Sequence, residues 1–277
     1  MTEKMEIISH CARGSFGDKR VLIQGYIISK SFPLVLLLHG VHGCANLAEG
    51  NKYGVLARLL AQESINVLTI ETSRKTRDRD AYGNDRNRWI MDAFKGKTYA
   101  MDLFDVASAI SFIHDDLRWP ELWLWGFSLG GLHFLILTGG IYKKVLERAG
   151  LKNPITTFPK IEGLILSGSG DEIRPENGPS FHEPILDSLP CQEMLLEAAK
   201  NTNAENVYAF YGSLDETFAK EACRRLFELT PTKRDFIVLE GVDHSFRTVN
   251  GIPSISPLID MVNYLKKHIL KNPGPTR

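Results

Sequence analysis

The chain has 277 residues, with 33 lysines and arginines balanced by 33 aspartates and glutamates. Hydrophobic residues make up 43% and charged residues 24%, a globular balance that excludes a disordered, collagen-like or coiled-coil chain. Zero net charge gives no bulk attraction to nucleic acid or to an anionic membrane.

The predicted elements run in chain order as follows. Two early runs, 5–10 and 20–29, flank Arg13-Gly14-Ser15-Phe16-Gly17-Asp18 and read as a hairpin with a glycine-containing turn. The run 33–38 (PLVLLL) is continuous and apolar, as expected of a strand buried on both faces. Helical spacing follows over 46–63, then a strand over 65–70. The stretch 72–97 is long, charged and mixed in sign. An amphipathic helix is predicted over 98–117, a strand over 122–125 and a helix over 128–141. A strand over 161–166 precedes a second interruption, 168–190, rich in Gly, Pro, Ser and acidic residues. A helix over 191–200, a strand over 207–211, a helix over 216–229, a strand over 236–239 and a helix over 257–270 complete the series.

This alternation implies a mostly parallel sheet covered by helices on both faces, joined by right-handed crossovers. Neither interruption is long enough for a domain of its own, so one domain over 1–277 is expected, with lid-like inserts at about 72–97 and 168–206. The stretch 122–142 carries no Asp, Glu, Lys or Arg and imitates a membrane span. Its five glycines, with Ser128, His133 and Thr138, read better as a buried strand, a turn and a buried helix.

Cys11, Cys44, Cys191 and Cys223 are scattered, with no C-x-x-C pair. That pattern suggests neither a zinc site nor a redox dithiol. The N-terminus shows no basic region followed by an apolar run, so a cytoplasmic location is the expectation.

The chemistry centres on Gly126-Phe127-Ser128-Leu129-Gly130, a G-x-S-x-G pattern between a strand and a helix. A serine there sits on a sharp, strained turn that lifts its hydroxyl clear of the backbone. Gly126 and Gly130 remove side chains that would block the turn. A serine hydroxyl needs an adjacent base, and a histidine base needs a carboxylate to orient it. The expected chain order is serine, acid, histidine. His244, just after the last strand, is placed to act as the base. Asp215 follows the next-to-last strand and is the chosen acid, with Asp171 after the preceding strand as its rival. Asp243 adjoins His244 in sequence, but adjacent side chains diverge, so it is set aside.

A tetrahedral oxyanion needs preorganised donors. The N–H of Leu129 should supply one, and the N–H of Val41, in His39-Gly40-Val41-His42-Gly43, the other. His39, His42 and Cys44 lack a second cluster at zinc spacing, so no metal is expected. No phosphate-binding or dinucleotide fingerprint is present, so no cofactor is expected.

Together HGVHG (39–43), GFSLGG (126–131), GSLD (212–215) and VDHSF (242–246) resemble the α/β-hydrolase superfamily, in its serine-nucleophile branch. The resemblance covers nearly the whole chain. It implies an α/β-hydrolase fold with a mostly parallel eight-stranded sheet, an antiparallel second strand and a small lid insert. It also implies a triad of Ser128, Asp215 and His244. The 167–207 insert and Phe94-Lys95-Gly96-Lys97-Thr98 are similar to small carboxylesterases of the feruloyl or cinnamoyl type.

Substrate contacts are expected from His42 and from Tyr82 and Trp89, if 72–97 is a lid that attracts carboxylate-bearing substrates. The competing reading of 72–97 is a solvated loop whose mixed charges pair with one another. The leading functional expectation is a serine hydrolase acting on a small-molecule carboxylic ester. Thioester, amide or C–C bond cleavage would use the same triad, and a non-catalytic binding protein is the alternative from another class. A membrane-associated lipase would want a larger apolar lid than these charged inserts supply.

Overall fold

The computed structural model describes residues 5–174, 184–248 and 254–270. β1 (Glu6–Arg13) and β2 (Arg20–Ile27) form the expected antiparallel hairpin. β3 (Leu34–Leu38), β4 (Asn66–Glu71), β5 (Glu121–Phe127), β6 (Lys160–Ser167), β7 (Val207–Gly212) and β8 (Lys233–Leu239) join them in one eight-stranded sheet. The strand order is β1-β2-β4-β3-β5-β6-β7-β8, and β2 alone runs against the others.

All five residues of β3 are buried, which is why its sequence is an unbroken apolar run. Side chains still alternate between the faces. Leu34, Leu36, Leu38, Leu122 and Leu124 enter one core, and Val35, Leu37, Trp123, Trp125 and Phe127 the other. The first core lies under α3 (Tyr99–Asp115), α4 (Leu129–Thr138) and α8 (Lys220–Leu229). The second lies under α1 (Lys52–Gln62) and α9 (Ser256–Ile269).

Connections leave β3 toward β4 on one side and β5 toward β6 on the other. The order in which strands are added therefore reverses between the parallel strands β3 and β5, and a crevice opens beyond the carboxyl ends of strands at such a point.

Element ends differ from the sequence reading for local reasons. α1 starts at Lys52 rather than at 46, because the Asn51 side chain accepts from Tyr53 N (2.9 Å) and Gly54 N (3.3 Å). α8 starts at Lys220 rather than at 216, because Asp215 Oδ1 accepts from the N–H groups of Thr217 (2.8 Å) and Phe218 (2.9 Å). α4 stops before Gly139-Gly140, where Gly140 has a φ of 74°, and α5 (Tyr142–Arg148) follows. The apolar stretch 122–142 is thus strand, turn and helix, and no helix among the described residues is long and apolar enough to cross a membrane.

The stretch 72–97 is only in part the solvated loop that its charges suggest, with most of 78–88 exposed and the ends buried. It holds a 3-10 turn (Asp80–Tyr82) and α2 (Arg86–Phe94), capped by Asp85. Trp89, Ile90, Ala93 and Phe94 form a small core of their own. The second insert contains α6 (Pro184–Asp187) and α7 (Gln192–Lys200), and its segment 175–183 lies outside the described residues.

Lys97 is fully buried and closes a charged network behind α4. Its Nζ lies 2.5 Å from Asp102 Oδ1, 3.1 Å from Asp105 Oδ2 and 2.7 Å from the Ser73 carbonyl. Asp102 also meets His133 Nε2 of α4 at 2.8 Å, and Asp105 accepts from Ser15 and Ser73. Burial alone would push the Asp102 carboxyl up, but Lys97 and His133 outweigh it and hold it well below the ordinary carboxylate range.

Candidate active site

Four loops meet at the carboxyl edge of the sheet, after β3, β5, β7 and β8. Ser128 stands between β5 and α4 with φ 52° and ψ −121°, a conformation sparsely populated by residues other than glycine. Its backbone is held on both sides. Its N–H donates to the Ser167 carbonyl (2.8 Å), and its own carbonyl accepts from Ser169 Oγ (2.8 Å).

The glycines have the steric role that the pattern predicts. A Cβ on Gly126 would stand 2.4 Å from the backbone of Gly130, and one on Gly130 would stand 2.5 Å from the His39 carbonyl. Gly40 packs less tightly on the serine, where a Cβ would meet Ser128 Cβ at 3.1 Å.

His244 Nδ1 lies 2.9 Å from Asp215 Oδ2. Asp215 is 3% exposed, and its other oxygen is occupied by the Thr217 and Phe218 N–H groups. This carboxylate accepts on both oxygens, so His244 donates from Nδ1 and leaves Nε2 as the free base. Ser128 and His244 line the same cavity, of about 540 Å³. Among the described residues no hydrogen bond joins Ser128 Oγ to the imidazole. Such contacts are often loose in empty sites and tighten around a substrate.

The rival acids are engaged elsewhere. Asp171 takes a two-pronged contact from Arg225, with both N···O distances 2.7 Å, and a third bond from Gln192 (3.0 Å). Asp243 is bound by Arg247 through its backbone (2.8 Å) and side chain (2.9 Å).

The N–H groups of Val41 and Leu129 donate to no acceptor among the described residues. Val41 lines the cavity and Leu129 opens α4, where the helix dipole adds positive potential. The loop carrying Val41 is braced from three directions. Tyr53 OH accepts from Gly40 N (3.3 Å). His39 Nδ1 meets the Gly40 carbonyl (2.7 Å), and its Nε2 accepts from Thr72 N (3.4 Å). Burial pushes the His39 imidazole down to about 4, so it is neutral at physiological pH and can hold both contacts. Buried Arg74 donates to the Gly43 carbonyl (3.2 Å) and stacks over Trp89 and Phe94.

The expected substrate contacts fail on geometry. Trp89 is 1% exposed, packed in its own small core under Arg74. Tyr82 bonds Asp92 (3.1 Å), and His42 packs at a tilt against Phe94 (5.1 Å between ring centres). None of the three lines the cavity. The residues that do line it, and that the sequence did not mark, include Lys52, Tyr53, Arg86, Phe246 and Leu258.

No family model and no curated protein matches the chain. Solved structures do. A cold-adapted esterase from an Arctic intertidal metagenomic library has 20% identity and a TM-score of 0.56, with 95% of this chain and 93% of that one covered. Est1E from Butyrivibrio proteoclasticus has 13% identity and a TM-score of 0.61, over 95% and 98%. An esterase from the archaeon Pyrobaculum calidifontis has 14% identity and a TM-score of 0.58, over 98% and 86%. At such identities the likeness is one of architecture, and with the sheet order and the elbow at Ser128 it places this chain in the α/β-hydrolase fold.

Proposed function

We propose that the protein is a serine hydrolase that cleaves carboxylic esters through an acyl-enzyme on Ser128. The observation that carries this reading is the joint placement of the strained Ser128 and the Asp215-bound His244 on one cavity. His244 Nε2 takes the Ser128 proton as Oγ attacks the carbonyl carbon. The N–H groups of Val41 and Leu129 hold the oxyanion, and imidazolium formation is stabilised by Asp215. His244 then protonates the leaving alcohol, and water repeats the sequence to release the acid and restore the serine. The esterases that share the fold favour an ester over a thioester, amide or C–C bond. A cytoplasmic location and a single domain over 1–277 belong to the same proposal.

The test is hydrolysis of p-nitrophenyl esters of graded acyl length beside acyl-CoA and peptide substrates. Wild type is expected to turn over the short esters fastest, and Ser128→Ala to lower kcat by about 10⁴–10⁶-fold. Turnover of esters by Ser128→Ala at the wild-type rate would overturn the assignment, and faster acyl-CoA or peptide turnover would move it to a thioesterase or amidase.

A further inference from the structure

Lys52 is the first residue of α1, where the positive end of the helix dipole disfavours a cation. It is half-buried and lines the cavity that holds Ser128 and His244. Its Nζ sits over the rings of Phe127 (4.3 Å), Tyr53 (5.1 Å) and Phe246 (5.9 Å). No carboxylate pairs with it among the described residues. The nearest acidic influence, Asp243, is already engaged by Arg247 at 2.9 Å, and the two act on Lys52 in opposite directions. Burial lowers the Lys52 ammonium to about 8, still mostly charged at neutral pH.

The rest of the lining repeats the sign. Arg86 and Arg247 line the same cavity, and no aspartate or glutamate does among the described residues. With Arg247 paired to Asp243, Lys52 and Arg86 are left facing a cavity that no aspartate or glutamate lines among the described residues. A charged nitrogen held among aromatic rings gains from cation–π contact yet keeps its hydrogen-bonding protons for a guest.

We propose that Lys52, supported by Arg86, binds a free carboxylate carried by the ester substrate. Lys52 is thus a specificity-determining residue. It rests on the hydrolase reading above, and it narrows that reading from esters at large to esters that bear an anion. The carboxylate stands on the acyl side, as in a half-ester of a dicarboxylic acid, or on the alcohol side, as in an acylated hydroxy acid.

Two matched ester pairs test it. p-Nitrophenyl hemisuccinate against p-nitrophenyl butyrate places the charge on the acyl side, and p-acetoxybenzoate against p-tolyl acetate places it on the alcohol side. Wild type is expected to prefer the anionic member of one pair. Lys52→Met is expected to lower that kcat/KM ratio by about 10- to 100-fold, mainly through KM, as loss of a charge-assisted hydrogen bond does. Lys52→Arg is expected to restore most of it. Equal treatment of both members by wild type in both pairs overturns the proposal without any variant, and so does a ratio unmoved by Lys52→Met. Turnover of the neutral esters in those cases leaves the hydrolase reading standing. Failure of wild type on all four esters overturns both.

Discussion

Asp215→Asn is expected to lower kcat by about ten-thousand-fold with the fold intact. The reason lies in how the carboxylate is tied down. Oδ1 accepts from two backbone N–H groups, while Oδ2 faces His244 Nδ1 at 2.9 Å. An asparagine keeps its carbonyl oxygen on the N–H pair and turns its NH₂ toward the imidazole. The imidazole must then accept at Nδ1, and the proton moves to Nε2, where the base is needed. The measurement is kcat on a short p-nitrophenyl ester beside a melting curve. Activity within about tenfold of wild type would return the acid's role to another carboxylate, against the engagement of Asp171 by Arg225.

Lys97→Met is expected to destabilise the fold by about 3–5 kcal/mol, because breaking a buried pair leaves charge without a partner. Asp102 and Asp105 would both lose their shared cation, with His133 left as the remaining partner of Asp102. The pH dependence separates charge from packing. The Asp102 carboxyl titrates lower folded than unfolded, so its contribution is present at neutral pH and is lost as the pH falls through the folded value. In the variant that carboxyl rises and takes a proton earlier. The gap in stability between wild type and Lys97→Met should therefore shrink as the pH falls in denaturant titrations. A gap that stays constant would assign the loss to packing.

The readable parts of the sequence share one property: a single steric or solvation rule dominates them. β3, and β5 after Glu121, bury both faces, so their residues there are apolar without interruption. Ser128 was legible because its turn excludes side chains at Gly126 and Gly130. Asp215 and His244 followed from their places after β7 and β8. The misread parts depend on contacts between distant segments. Lys97 and Arg74 lie in a charge-rich stretch and look solvated on average, yet one meets α3 and the other braces the loop after β3. A signal existed for Lys97, since Asp102 and Asp105 lie one turn apart in α3, among residues that are otherwise mostly apolar. Buried acids of that kind call for a buried cation. Trp89 was read as facing substrate because α2 is short and its apolar spacing is swamped by charge. Lys52 had no local signal at all, because its environment is made by Phe127 and Phe246 from other strands' ends.

The central claim is that Ser128 is an activated nucleophile. Labelling with a fluorophosphonate probe, wild type beside Ser128→Ala, followed by peptide mapping, tests it most directly. The expected result is a single adduct on Ser128, abolished in Ser128→Ala and strongly slowed in His244→Ala. No adduct on well-folded wild type, or an adduct on another residue, would contradict it.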